Sequence, residues 1–180
     1  MTTPWTIAPI WQGETVAILA AGPAMTPELA ATMRGCKTIA VNRAVQHAPW
    51  ADLFIALDPH PPYWAAAEGF GGLRVCGVAC DANDALYAGM FYETVQVGGS
   101  TLHIRNNALA ALRIAARLGA AKIVLVGFAP ELYDQLHAHT GFTGFAAGLE
   151  QITAELRATG IDVQRLGASA DVCTPEPRHV

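Results

Sequence analysis

Two hydrophobic patterns alternate along the chain: short continuous apolar runs closed by glycine, proline or asparagine, and longer segments with apolar residues at helical spacing. The first run, ETVAILA (14–20), predicts a buried strand. Behind it, Thr26-Pro27-Glu28 supplies an N-cap hydroxyl, a proline for the first helical position and an acid for the first turn. A helix is predicted from there to about Arg34, closed by Gly35. KTIAVN (37–42) and ADLFIALD (51–58) predict a second and a third strand, and YWAAAEGF (63–70) one or two helical turns. LRVCGVA (73–79) predicts a strand, DANDALYAG (81–89) a short helix, and YETVQV (92–97) a strand ending at the turn Gly98-Gly99.

The clearest helical pattern is NNALAALRIAARLGA (106–120). Leu109, Leu112, Ile114, Ala115 and Leu118 form its apolar stripe, Arg113 and Arg117 lie opposite, and Gly119 ends it. KIVLVGF (122–128) follows at once as a central strand. Residues 129–144 are polar and rich in His and Gly, and predict a loop. FAAGLEQITAELRATG (145–160) predicts a helix and IDVQRLG (161–167) the last strand. Strands apolar on both faces, alternating with helices, indicate an α/β fold: a mostly parallel sheet with helices on both faces, as one Rossmann-like domain. Residues 14–167 form the expected nucleotide-binding domain, between an N-terminal arm (1–13) and a C-terminal tail (168–180). Trp5, Ile7, Ile10 and Trp11 make the arm apolar, suited to packing on a second subunit in a homo-oligomer.

Composition narrows the function classes. At 180 residues with 52% apolar and 14% charged positions, the chain has the makings of a real core. Its 11 basic and 15 acidic residues give a net charge of −4, which argues against phosphate-dominated nucleic-acid binding. Cys36, Cys76, Cys80 and Cys173 lack the paired spacing of a zinc site and read as thiols on or beside strands. The N-terminus lacks the basic-then-apolar order of a signal peptide, and no apolar run approaches the roughly 18 residues of a membrane span. A cytoplasmic protein without membrane contact is the expectation.

In parallel sheets of this kind ligands bind beyond the carboxyl ends of the strands. The first such place is Ala21-Gly22-Pro23, which lacks the three glycines of a dinucleotide loop and the terminal Lys-Ser/Thr of a P-loop. Two readings stand: an anion site at a helix N-terminus, or a plain connection. Asn42, followed by Arg43, comes 20 positions after Gly22, where dinucleotide-binding domains carry an acid for the ribose. Asparagine suits a ribose or a base edge, and equally a strand-end turn. Asp58, a nucleotide-binding candidate at the end of the third strand, and His60 would need further ligands to hold a metal, such as His137 and His139, two histidines that can chelate and can equally be solvated surface. Arg105, Asn106 and Asn107 offer donors for a phosphate or carboxylate at the start of the best helix, although capping alone explains one asparagine. The last place is the loop entered at Gly127, with the acid/base candidates Tyr133, Asp134, His137 and His139. It holds no Ser-His-Asp elbow or His-Glu-x-x-His.

The run VAILAAGPAM, IAVNRA and APWADLFIALD resembles the Gly-x-Gly-Pro-Ser-Leu opening of bacterial sialyltransferases that use CMP-sialic acid. It also resembles a related group of flagellin-glycosylation proteins, archaeal 6-hydroxymethylpterin diphosphokinase-like domains, and small phage and prophage proteins. NNALAALRIAARLGAAKIVLVGFAP, LHAHTG and the tail SADVCTPEP follow in the same order, so the likeness spans residues 14–176. The resemblance implies a nucleotide or nucleotide sugar with its phosphate side at Gly22-Pro23 and its ribose or base at Asn42. Asn107 takes the place of a serine near the nucleotide. It implies His139 as general base on an acceptor hydroxyl, His137 as second choice, and Tyr133 at the leaving phosphate without a metal. Ala21, Ala24, Ala108 and Ala129 depart from the pattern, and the serine hydroxyl lost at Ala24 removes a phosphate donor. A glycosyltransferase-like enzyme is the first expectation. The alternatives are a diphosphokinase-like phosphotransferase with Mg²⁺ on Asp58, and a phage protein that binds or sequesters a nucleotide without catalysis.

Overall fold

Continuous β-branched and aliphatic runs make strands that are apolar on both faces, and the chain buries both by stacking them side by side. The computed structural model describes residues 8–57, 61–76, 94–97, 100–103, 106–137 and 144–166. Strands β1 (Thr15–Leu19), β2 (Lys37–Val41), β3 (Leu53–Ala56), β4 (Leu73–Cys76), β7 (Lys122–Val126) and β8 (Asp162–Arg165) form one sheet. Its order is β4-β3-β2-β1-β7-β8, every pair parallel. The strand predicted over 92–97 is not part of this sheet. Its end, β5 (Thr94–Val97), pairs antiparallel with β6 (Ser100–His103).

Alternation sorts the sheet residues into two layers of core. Val16, Ile18, Ile39, Val41, Leu53, Ile55, Ile123 and Leu125 face the long helices α3 (Asn107–Arg117) and α5 (Phe145–Ala158). Ala17, Leu19, Ala40, Phe54, Ala56, Val124 and Val126 face α1 (Pro27–Ala31), the 3-10 helix Asn42–Gln46 and α2 (Pro61–Ala66). Three alanines on this second face let short elements approach closely, and Phe54 fills the remaining depth. Its ring meets Trp64 edge-on at 5.3 Å and Phe70 at 6.1 Å.

The expected caps form. Thr26 Oγ1 accepts from Leu29 N at 3.1 Å, with Pro27 opening α1. Asn106 Oδ1 accepts from Ala108 N and Leu109 N at the start of α3. Two expectations are corrected. Residues 130–137 are not loop but helix α4 (Pro130–His137), with proline at its start and Glu131 in the first turn. The arm does not simply project toward a partner. Trp11 is only 4% exposed, and its N–H donates to Leu118 O at the end of α3, so it belongs to the chain's own core. Ile10 stays exposed, and Trp5 and Ile7 lie outside the described residues. Cys36 is half-buried before β2, and Cys80 and Cys173 lie outside the described residues.

Candidate functional site

Strand order decides where a ligand fits. The chain steps outward from β1 through β2 and β3 to β4, then returns to the other side of β1 with β7 and β8. The connection after β1 leads to α1 on one face, and that after β7 leads to α4, which packs with α5 on the other. The two connections part at the carboxyl end of the sheet, the position at which α/β folds hold ligands.

At this switch point the two backbones run on together. Ala20 N donates to Val126 O and Gly22 N to Gly127 O, at 2.9 and 3.0 Å. A Cβ on Gly22 would stand 2.1 Å from Gly127 O, and one on Gly127 2.4 Å from Ala20 O. Gly127 also has φ +73°, the left-handed region that glycine enters without strain. Both glycines are therefore explained by close backbone approach. The Gly22 amide is already taken, and Pro23 has none to give. Glu28 adds its own carboxylate to the first turn of α1. It is held below the usual carboxylate range by hydrogen bonds from its own backbone N–H and the Thr26 hydroxyl. The phosphate role expected at Ala21-Gly22-Pro23 thus has fewer donors than a glycine loop of the standard kind.

One strand over, the geometry differs. Asn42 follows β2 at φ +53°, the one described non-glycine residue with a positive φ. Its Oδ1 is buried and has no hydrogen-bond partner. Arg43 beside it is exposed. On the adjacent strand end, Leu57 N donates to Asn107 Oδ1, which fastens the start of α3 to the end of β3. Asn107 is 7% exposed. Both asparagines that open α3 therefore have structural work, Asn106 as the cap and Asn107 as the tie. Sequence reading could find the first from the N-cap preference, but not the second, whose partner lies 50 residues upstream.

The acid/base candidates of the late segment divide. Tyr133 and His137 sit one turn apart on α4 with rings stacked at 4.0 Å, and Tyr133 meets Phe145 edge-on at 5.2 Å. His137 Nδ1 also contacts Tyr133 O at 2.9 Å. The Asp134 carboxylate accepts from Phe145 N and Ala146 N at 2.9 and 3.0 Å. It thereby caps α5 from a neighbouring helix, because Gly144 at the cap position has no side chain. Asp58, His60, Arg105 and His139 lie outside the described residues. Among the described residues, no three His, Cys, Asp or Glu side chains gather as a metal site. An open depression lined by Trp11, Trp50, Asp52 and Leu73 lies at the opposite, amino edge of the sheet.

Set beside known proteins, the chain matches no family model, no curated protein and no solved structure. What stands is the fold: an all-parallel six-stranded sheet with helices on both faces. No described helix is long and apolar enough to cross a membrane.

Proposed function

We propose that the carboxyl edge of the sheet around Asn42 binds the nucleoside part of a nucleotide or nucleotide sugar, and that the protein is a glycosyltransferase-like enzyme. The observation that carries this reading is the unpartnered Oδ1 of Asn42, on a left-handed residue at the end of β2. A buried acceptor without a donor costs on the order of 1–3 kcal/mol. A buried polar atom left without a partner in a folded protein calls for an explanation, and a ligand that supplies the donor is one. A turn of the side chain brings that acceptor to a ligand hydroxyl or amine, and the exposed Arg43 supplies a cation for the phosphate. In the transfer step, His139 takes the proton of an acceptor hydroxyl as its oxygen attacks the sugar carbon. The nucleotide phosphate then leaves with the bonding electrons.

A second reading has a specific observation behind it. The Gly22 amide is occupied by Gly127, Ala24 has no hydroxyl, and Glu28 places a carboxylate on the same helix start. A site poor in phosphate donors suits a protein that binds or sequesters a nucleotide without turning it over. A thermal-shift series with CMP, UDP, ATP, NAD and cyclic nucleotides tests the shared premise, since a ligand that binds only the folded chain raises its melting temperature. If none of them does, both readings fall. If one does, its nucleotide sugar is assayed for turnover. His139→Ala then abolishes turnover and spares binding under the transferase reading, whereas the sequestering reading has no turnover to lose. Turnover that requires Mg²⁺ and Asp58 would instead mark a diphosphokinase-like phosphotransferase.

A further inference from the structure

β8 is the last strand on its side of the sheet. Its Asp162 N and the following Leu166 N donate to Ala121 O and Leu125 O, on the β7 side. Backbone direction alternates along a strand, so the N–H and C=O of Val163 and Arg165 point away from β7. No described strand takes them up, and Asp162, Gln164 and Arg165 are exposed. An open row of this kind is a template for another strand. One contact stands in the way. Arg157, in the last turn of α5, donates from its guanidinium to Val163 O, the outward carbonyl in the middle of the strand.

We propose that β8 is an interaction edge whose partner is the same strand of a second copy of the chain, and that Arg157 is the guard that keeps it closed. The outward residues, Val163 and Arg165, lie symmetrically about Gln164. A two-fold axis through Gln164 sets the two strands antiparallel. Val163 of each copy then exchanges N–H···O bonds with Arg165 of the other, so every outward backbone group of β8 finds a partner. Gln164 faces its own counterpart, and a carboxamide, donor at one end and acceptor at the other, pairs with itself. Such a contact is isologous and closes on two copies. With the Arg157 guanidinium seated on Val163 O, the approaching Arg165 N–H meets a filled and positively charged position.

The test is sedimentation velocity of the full chain over a concentration series. Arg157→Met keeps the aliphatic reach of the side chain and removes its donors. It is expected to raise the self-association constant about tenfold or more above that of the native chain. Arg157→Lys retains a charged donor and should behave as the native chain does. Adding Gln164→Glu to Arg157→Met sets like charges opposite each other across the axis and should return the native behaviour. Circular dichroism checks that each variant is folded, and Arg157→Ala takes the place of Arg157→Met if that one is not. Equal self-association of the native and Arg157→Met proteins would overturn the guard. Association that survives Gln164→Glu would overturn β8 as the edge that pairs.

Discussion

Replacing Asn42 by glycine should make the unliganded protein more stable while weakening its ligand binding. The native side chain buries an oxygen with no partner, and removing it returns on the order of 1–3 kcal/mol. Glycine adopts φ +53° freely, but its greater freedom in the unfolded chain costs about 0.5–1 kcal/mol. The balance is a gain of about 1 kcal/mol, which corresponds to roughly 2–4 °C in a chain of this length. Asn42→Ala separates the two terms. It removes the same oxygen but leaves a Cβ in the left-handed region without asparagine's local hydrogen bonding, at a cost of about 1–2 kcal/mol. Urea denaturation of the three proteins at neutral pH should therefore rank glycine first, with alanine below it by up to about 1.5 kcal/mol. If Asn42→Gly loses 1 kcal/mol or more against the native chain, Asn42 is a structural turn residue, and its unpaired oxygen cannot be assigned to a ligand.

Other consequences follow from the described contacts. Gly127→Ala combines a left-handed φ of +73° with a Cβ 2.4 Å from Ala20 O, and should cost about 3 kcal/mol or more. Gly69→Ala, at φ +75° with nothing within 4 Å, should cost only the backbone part, about 1–2 kcal/mol. Equal losses would show that the close approach of Gly127 to Ala20 is unimportant. Asp134→Ala removes both acceptors from the start of α5 and should cost about 1–2 kcal/mol. Hydrogen exchange should speed up first at Phe145 and Ala146. Glu155 is held below the usual carboxylate range by hydrogen bonds from Gln151 and Arg113. Its contribution is therefore complete above the ordinary value of 4.5 and is lost as pH falls through the lowered one. At 41% exposure its side chain is well screened, so Glu155→Gln should cost under about 1 kcal/mol at neutral pH. That difference should shrink in denaturation series run below pH 4.5.

The parallel sheet was legible because its inner strands are largely apolar runs that are buried by covering both faces; the edge strand β8, Asp-Val-Gln-Arg, carries only one buried residue. α4 was not. Its Pro130-Glu131 start was present, but Leu132 and Leu136 face outward, and the polar, His- and Gly-rich composition of residues 129–144 suggested a loop. β6 escaped for a similar reason: Ser100–His103 carries little apolar signal. At the candidate site, local chemistry was readable and distant pairing was not. Thr26 and Asn106 cap within three residues of themselves. The partners of Gly22, Asn107 and the ends of α4 and α5 are set by how separate segments come to lie side by side. Asp134 shows the limit most clearly. A carboxylate near tyrosine and histidine suggests catalysis, yet here it replaces the side chain that Gly144 lacks.

Nucleotide binding by Asn42 at the carboxyl edge of the sheet is measured directly by titration with ribonucleoside monophosphates, followed by ¹H–¹⁵N NMR of the Asn42 side-chain amide and of the Arg43 and Leu57 backbone amides. These three signals are expected to move together and saturate with one affinity. Signals that stay fixed, or movement confined to Trp50, Asp52 and Leu73 at the opposite edge, would contradict it.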